Sequence, residues 1–164
     1  MTDFFDSLFS EQQYQSADCV GLMLARARNM VAKSMDTALA EYDITHAQGS
    51  ILWMVANGKC STATDLAREM MIDAASTTRM IDRLEKRKLI VRMPRGDDRR
   101  VINLRLTPGG RNLAEKLPAI YARVMNLNFA GFTTEEVGQL RTLVDKLLAN
   151  STPLHGCRSE RRPD

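Results

Sequence analysis

Residues 73–108 read DAASTTRMIDRLEKRKLIVRMPRGDDRRVINLRLTP, and the pattern changes twice within them. Asp73 is a good N-cap. The spacing behind it predicts a helix from Ala74 to about Arg87, with Ala75, Met80, Ile81 and Leu84 on its apolar side. At Leu89 the three–four period stops. Residues 89–93 and 101–106 read as two strands with alternating or edge-buried faces. Between them runs a polar, breaker-rich tip, Pro94 to Arg100. Thr107 then reads as an N-cap with Pro108 at the first helical position. The order is helix, long-tipped β-hairpin, helix.

Working outward, the upstream chain is helical throughout. Ser16 or Asp18 can cap a helix reaching about Tyr42, with Val20, Met23, Leu24, Ala27, Met30, Val31, Met35, Ala38 and Leu39 at helical spacing. Its length, roughly 37 Å, exceeds what one small domain covers and favours packing against a second chain. Thr45 caps a second helix from His46 to about Ala56, ended by the Asn57-Gly58 turn signal. Thr62 with Asp65 three residues on resembles a capping box for a third helix ending near Met70. Downstream, a helix extends to about Phe129, with Pro118 inside expected to kink it. The capping box Thr133–Glu136 starts a last helix to about Ala149.

The chain has 164 residues, 44% hydrophobic and 26% charged, as in one soluble globular domain with an arm. No apolar run approaches a membrane span. The first ten residues carry Asp3 and Asp6 but no Lys or Arg, unlike a signal peptide. Three scattered cysteines, Cys19, Cys60 and Cys157, argue against a disulfide framework and for a reducing cytoplasm. There is no phosphate loop, metal-ligand cluster or nucleophile motif, and only two histidines, so neither an enzyme nor a cofactor is expected.

The net charge of +3 is unevenly spread. Residues 79–105 alone hold ten Lys/Arg against four Asp/Glu. A local basic block points to a polyanion, although a solvated charged face would show the same composition. The layout gives the charge a purpose. The major groove of B-DNA admits one helix, a neighbouring hairpin can reach the minor groove and phosphates, and cations on both release counterions.

The stretches Leu66-Ala67-Arg68-Glu69-Met70 and 76–85 resemble the helix-turn-helix of the MarR family of winged-helix regulators. Asp98-Arg99-Arg100 matches that family's Asp-x-Arg wing signature, and 104–110 is similar to its strand-to-helix junction. The resemblance covers about Asp18 to Ala149. It implies a mainly α fold with a small β-hairpin wing. A winged helix-turn-helix (45–107) would be embedded in a helical dimerisation region (16–44 and 108–149); composition adds a mixed, acidic N-terminal arm (1–15) and a disordered tail (150–164). The resemblance also implies a homodimeric, cytoplasmic, double-stranded-DNA-binding repressor. Ala75, Ser76, Thr77 and Arg79 fall where the family's recognition helix meets DNA. Arg79 would read a guanine edge or clamp a phosphate. Arg83 and Arg95 would meet phosphates, as would Thr62 and Thr64, although capping alone explains the threonines. Arg100, beside Arg99 and oriented by Asp98, would enter the minor groove. Lys86, Arg87 and Lys88 suit a helix C-terminus regardless of DNA.

Two departures stand out. The family usually has glycine where Lys88 stands; a left-handed lysine is costly, which predicts a differently built turn. Where some members carry a cysteine late in the recognition helix, this chain has Lys86. Many members release DNA when a small aromatic anion binds between the helical and winged regions. Arg26, Met30, His46, Ser50, Trp53 and Met54 are the residues expected to line such a pocket, with Arg26 supplying charge. Core packing is the competing explanation for Trp53 and Met54, and a helix start for His46. A thiol sensor at Cys19 is a second possibility, set against its acidic surroundings. A protein-binding winged helix is a third, set against the basic block.

Overall fold

The structure is a computed structural model that describes residues 19–94 and 101–150. The order is α1 (Val20–Leu39), a 3₁₀ turn (Ala40–Tyr42), α2 (His46–Ala56), α3 (Ala63–Met70), α4 (Ala74–Lys86), β1 (Ile90–Pro94), β2 (Ile102–Leu106), α5 (Pro108–Asn128) and α6 (Thr134–Ala149). It is the mainly helical, single-hairpin fold that the sequence implies. The chain falls into two compact units, divided after Asn128, and the division lies inside the 108–149 segment. The expected arm, the wing tip from Arg95 to Arg100 and the tail from 151 onward lie outside the described residues.

The caps explain most of the boundaries. The Thr45 side chain accepts from the Gln48 N–H while the Gln48 side chain accepts from the Thr45 N–H, a reciprocal box at α2. Asp73 caps α4 through the Ser76 N–H at 2.7 Å, and Thr133 with Glu136 forms a box at α6. The first helix differs from expectation at both ends. Cys19 occupies its N-cap position without a side-chain bond. Its α-helical part stops at Leu39, tightens into the 3₁₀ turn and ends on a left-handed Asp43.

The first unit's core gathers Leu39, Ile51, Leu52, Leu66, Ile81, Leu84, Ile90, Leu104, Leu113 and Leu117 from its helices and hairpin. In α5 the buried positions Leu113, Leu117, Ile120 and Val124 follow the three–four spacing, and the helix continues through Pro118. β1 and β2 pair antiparallel, Ile90 opposite Leu106 and Arg92 opposite Leu104. The Leu104 N–H donates to the Ser61 carbonyl at 2.8 Å, fastening the hairpin to the segment that precedes α3. In the second unit, α6 buries none of its residues and exposes Val137, Leu140, Leu143 and Leu147.

The turn after α4 corrects an expectation. Lys88 is left-handed, with φ 57°. The Lys88 N–H donates to the Glu85 carbonyl at 2.8 Å and the Leu89 N–H to the Leu84 carbonyl at 2.9 Å. This is a Schellman cap, and its two bonds with the Leu84–Leu89 pairing hold a residue that glycine would suit better. Met71 ends α3 in the same way, with φ 52° and a bond from the Ile72 N–H to the Ala67 carbonyl. Lys88→Gly is therefore expected to stabilise the fold by about 0.5–1 kcal/mol, the left-handed penalty net of glycine's extra unfolded freedom. A rise in the thermal midpoint on circular dichroism would show it, and a fall would contradict it.

Candidate nucleic-acid interface

The outer face of α4 carries the expected cations. Thr77, Ile81 and Leu84 turn into the core, which leaves Ala75, Arg79, Asp82, Arg83 and Lys86 exposed on the opposite side. Two readings are corrected. Thr77 is fully buried, and its hydroxyl donates to the Asp73 carbonyl at 3.0 Å, so it offers nothing to an outside partner. Ala75 is exposed and takes no part in the apolar side. A β-branched threonine with its hydroxyl satisfied inside the helix fills a core position well. Thr78, missed in the sequence, is exposed beside Arg79 and donates to the Ala74 carbonyl.

The start of α4 is internally braced. Bonds from the Ser76 side chain and backbone hold the Asp73 carboxyl below its usual range. Arg79 Nη2 donates to Ser76 Oγ at 2.8 Å, which aims the exposed guanidinium along the first turns. Both carboxylates of the helix, Asp82 on this face and Glu85 at its edge, are engaged by one cation of the hairpin. Arg92 on β1 donates to Asp82 at 2.7 Å and pairs with Glu85. The hairpin thus offsets part of the negative charge of α4, and Arg79, Arg83 and Lys86 keep the outer face net positive. Arg92 was invisible to a local reading because its partners lie seven and ten residues away.

At α3, the Thr62 hydroxyl donates to Asp65 Oδ2 at 2.8 Å and accepts from the Asp65 N–H at 3.1 Å. It is committed to the cap, and its bond holds the Asp65 carboxyl low. Thr64 is exposed. Arg95, Asp98, Arg99 and Arg100 fall outside the described residues.

The residues expected to line an effector pocket are only partly brought together. Arg26 and Met30 are exposed on α1, Trp53 is at the margin of exposure, and Met54 is half-buried against the core. His46 and Ser50 do meet: the Ser50 hydroxyl donates to the His46 carbonyl at 3.0 Å. Tyr121 of α5, missed in the sequence, stands edge-on to His46 with ring centres 6.0 Å apart. Burial pushes the Tyr121 phenol up to about 12, and the Ser50 hydroxyl tempers this although the two do not reach hydrogen-bond geometry. Tyr121 Oη, buried, is left without a hydrogen-bond partner. Of the expected lining residues, Trp53 borders an open cleft. This cleft, of about 230 Å³, opens between Trp53 and the α5 residues Arg111, Ala114 and Pro118. Another, of about 590 Å³, separates Asp36, Ala40, Asp43, Ile44, Thr45 and Gln48 from Arg83, Lys86 and Arg87. Cys19 is half-buried; Cys60 is buried, and that burial pushes its thiol up.

Burial lowers the His46 pKa, with the Asp36 carboxylate working against it. A depressed imidazole contributes stability that is present above its unfolded pKa of about 6.5 and lost as pH falls through the folded value. The thermal midpoint of the wild type should therefore fall on acidification below about pH 6.5 more steeply than that of His46→Gln. Parallel pH profiles would show that His46 carries none of this effect.

Among the described residues no helix is long and apolar enough to cross a membrane. A family model described as MarR family matches residues 44–102. The chain is 31% identical over 130 residues to the multiple antibiotic resistance protein MarR of Escherichia coli K12, covering 76% of this chain and 90% of that protein. It is 31% identical over 115 residues to an uncharacterized HTH-type transcriptional regulator, YhbI, of Bacillus subtilis 168, covering 70% and 75%. Among solved structures, a mutant E. coli MarR complexed with operator DNA superposes with a TM-score of 0.73 at 26% identity, covering 79% of this chain and 93% of that one. A probable transcriptional regulator from Pseudomonas aeruginosa superposes with a TM-score of 0.72 at 28% identity, covering 79% and 97%. These relatives are regulators of transcription, not enzymes. With its order of helices and hairpin and this extent of likeness, the chain belongs to the MarR family of transcriptional regulators.

Proposed function

We propose that this chain represses transcription by binding a pseudo-palindromic duplex operator as a homodimer, with α4 in the major groove. The observation that carries the reading is the outer face of α4. Three exposed cations stand on it while Arg92 pairs with both of its carboxylates. The related E. coli structure with operator DNA supports the same partner here. Arg79 reads a base edge or a phosphate, Arg83 and Thr64 meet phosphates, and the wing residues Arg95, Asp98, Arg99 and Arg100 reach the neighbouring groove.

The homodimer is supported by the unburied apolar side chains at the start of α1 (Val20, Met23 and Leu24) and along α6. On each helix taken by itself, exposed apolar side chains at helical spacing suit an interaction surface. Release by a small aromatic anion is the regulatory part of the proposal. Its support is the His46–Ser50–Tyr121 cluster, whose orphaned phenol is an unexplained buried polar group.

The test is selection of bound duplexes from a random-sequence pool, with and without small aromatic acids. A palindrome with half-site centres about one helical turn apart is expected, with recovery reduced by an active acid. Failure to enrich any sequence at low salt would favour a protein-binding winged helix.

A further inference from the structure

Arg87, the residue directly after α4, is not a free cation at a helix end. Its guanidinium donates to the Tyr42 carbonyl at 3.0 Å and to the Asp43 carbonyl, and it pairs with the Asp43 carboxylate at 3.5 Å. Both carbonyls belong to the turn that ends α1, where helix carbonyls lack intrahelical partners and a cation meets the negative end of the dipole. α1 packs on α2 and α5. Between the end of α1 and the C-terminal half of α4 lies the 590 Å³ cleft. Across that gap the ties of Arg87 do what packed side chains do elsewhere in the core.

We propose that Arg87 is a positioning residue for operator binding, holding α4 at a fixed attitude to α1 without touching DNA. This rests on the operator-binding reading above. In a dimer built on α1, one such tie in each chain sets the distance and angle between the two α4 helices, and therefore which half-site spacing is accepted. Arginine suits the task because one planar fork serves several acceptors; lysine offers a single point.

The test uses the full-length protein and the duplex selected for the wild type, with Arg87→Gln, Arg87→Lys and Asp43→Asn. Affinity is measured over a salt series and against duplexes with one base pair added or removed between half-sites, and thermal midpoints are recorded. The wild type should bind the selected duplex and discriminate against altered spacing. Arg87→Gln should bind roughly tenfold more weakly, with an unchanged salt slope because no phosphate contact is lost. It should also lose most of the discrimination against altered spacing, which a residue that merely stabilised the fold would leave intact. Arg87→Lys and Asp43→Asn should fall between, and they decide the matter if Arg87→Gln does not fold. Unchanged affinity and spacing preference would overturn the proposal. So would a salt slope shallower by about one, which would make Arg87 a phosphate ligand. A wild type that enriches no duplex would sink the operator reading itself.

Discussion

Gly110→Ala is expected to destabilise the fold by roughly 3 kcal/mol or more, at the upper end of overpacking effects. A Cβ on Gly110 would stand 1.9 Å from the Leu89 carbonyl oxygen and 2.9 Å from its carbon. These are backbone atoms and cannot swing aside like a side-chain tip. The surroundings are fully engaged. The Gly110 N–H donates to Thr107 Oγ1 at 3.0 Å, Thr107 Oγ1 donates to the Lys88 carbonyl at 2.6 Å, and the Thr107 N–H donates to the Leu89 carbonyl at 3.1 Å. Relieving the clash means lifting the first turn of α5 off the start of β1, which opens the core between Ile90 and Leu113. The thermal midpoint should fall by roughly 10 °C. Gly138→Ala is the control: nothing lies within 4 Å of its added Cβ, and alanine inside a helix should match or exceed glycine. Equal melting of Gly110→Ala and the wild type would refute the close approach of α5 to the hairpin.

The second large effect concerns Arg79. On the reading that Arg79 contacts a guanine edge, Arg79→Ala should cost about 1–3 kcal/mol of base discrimination, roughly a tenfold to hundredfold weaker grip on the selected operator. Binding to unrelated duplex should change far less. If Arg79 grips a phosphate instead, affinity falls evenly across sequences and the salt slope drops by about one. The buried neighbour gives a sharp contrast. Thr77→Val alters a fully enclosed side chain, so it should move the thermal midpoint while leaving operator affinity near the wild-type value. A loss of operator binding in Thr77→Val with unchanged stability would contradict the orientation of α4.

The elements were legible because their signals are local. Thr45, Asp73 and Thr133 announce helix starts by side chains that reach only three residues ahead, and the change of period at Leu89 announces the hairpin. What escaped depends on contacts distant in sequence or on competition within a turn. Thr77 reads as polar, but its hydroxyl is satisfied by Asp73 and its methyl belongs to the core. Lys88 reads as unfit for a left-handed turn, yet two cap bonds hold it there. Arg92 and Arg87 read as part of a basic run, and only the fold shows that they are spent on Asp82 and Glu85 and on the end of α1. The effector residues were chosen by type along two helices. Arg26 and Met30 face outward while Tyr121, from a helix some seventy residues on, stands beside His46.

The central claim is that the outer face of α4 enters the major groove, with Arg79 at base edges. Dimethyl sulfate protection of guanine N7 in the selected duplex tests it most directly, because N7 lies on the major-groove edge. Wild-type protein should protect guanines symmetrically in both half-sites, and Arg79→Ala, at concentrations that still occupy the duplex, should leave one guanine per half-site unprotected. Protection that is absent, or identical in the two proteins, would contradict the account.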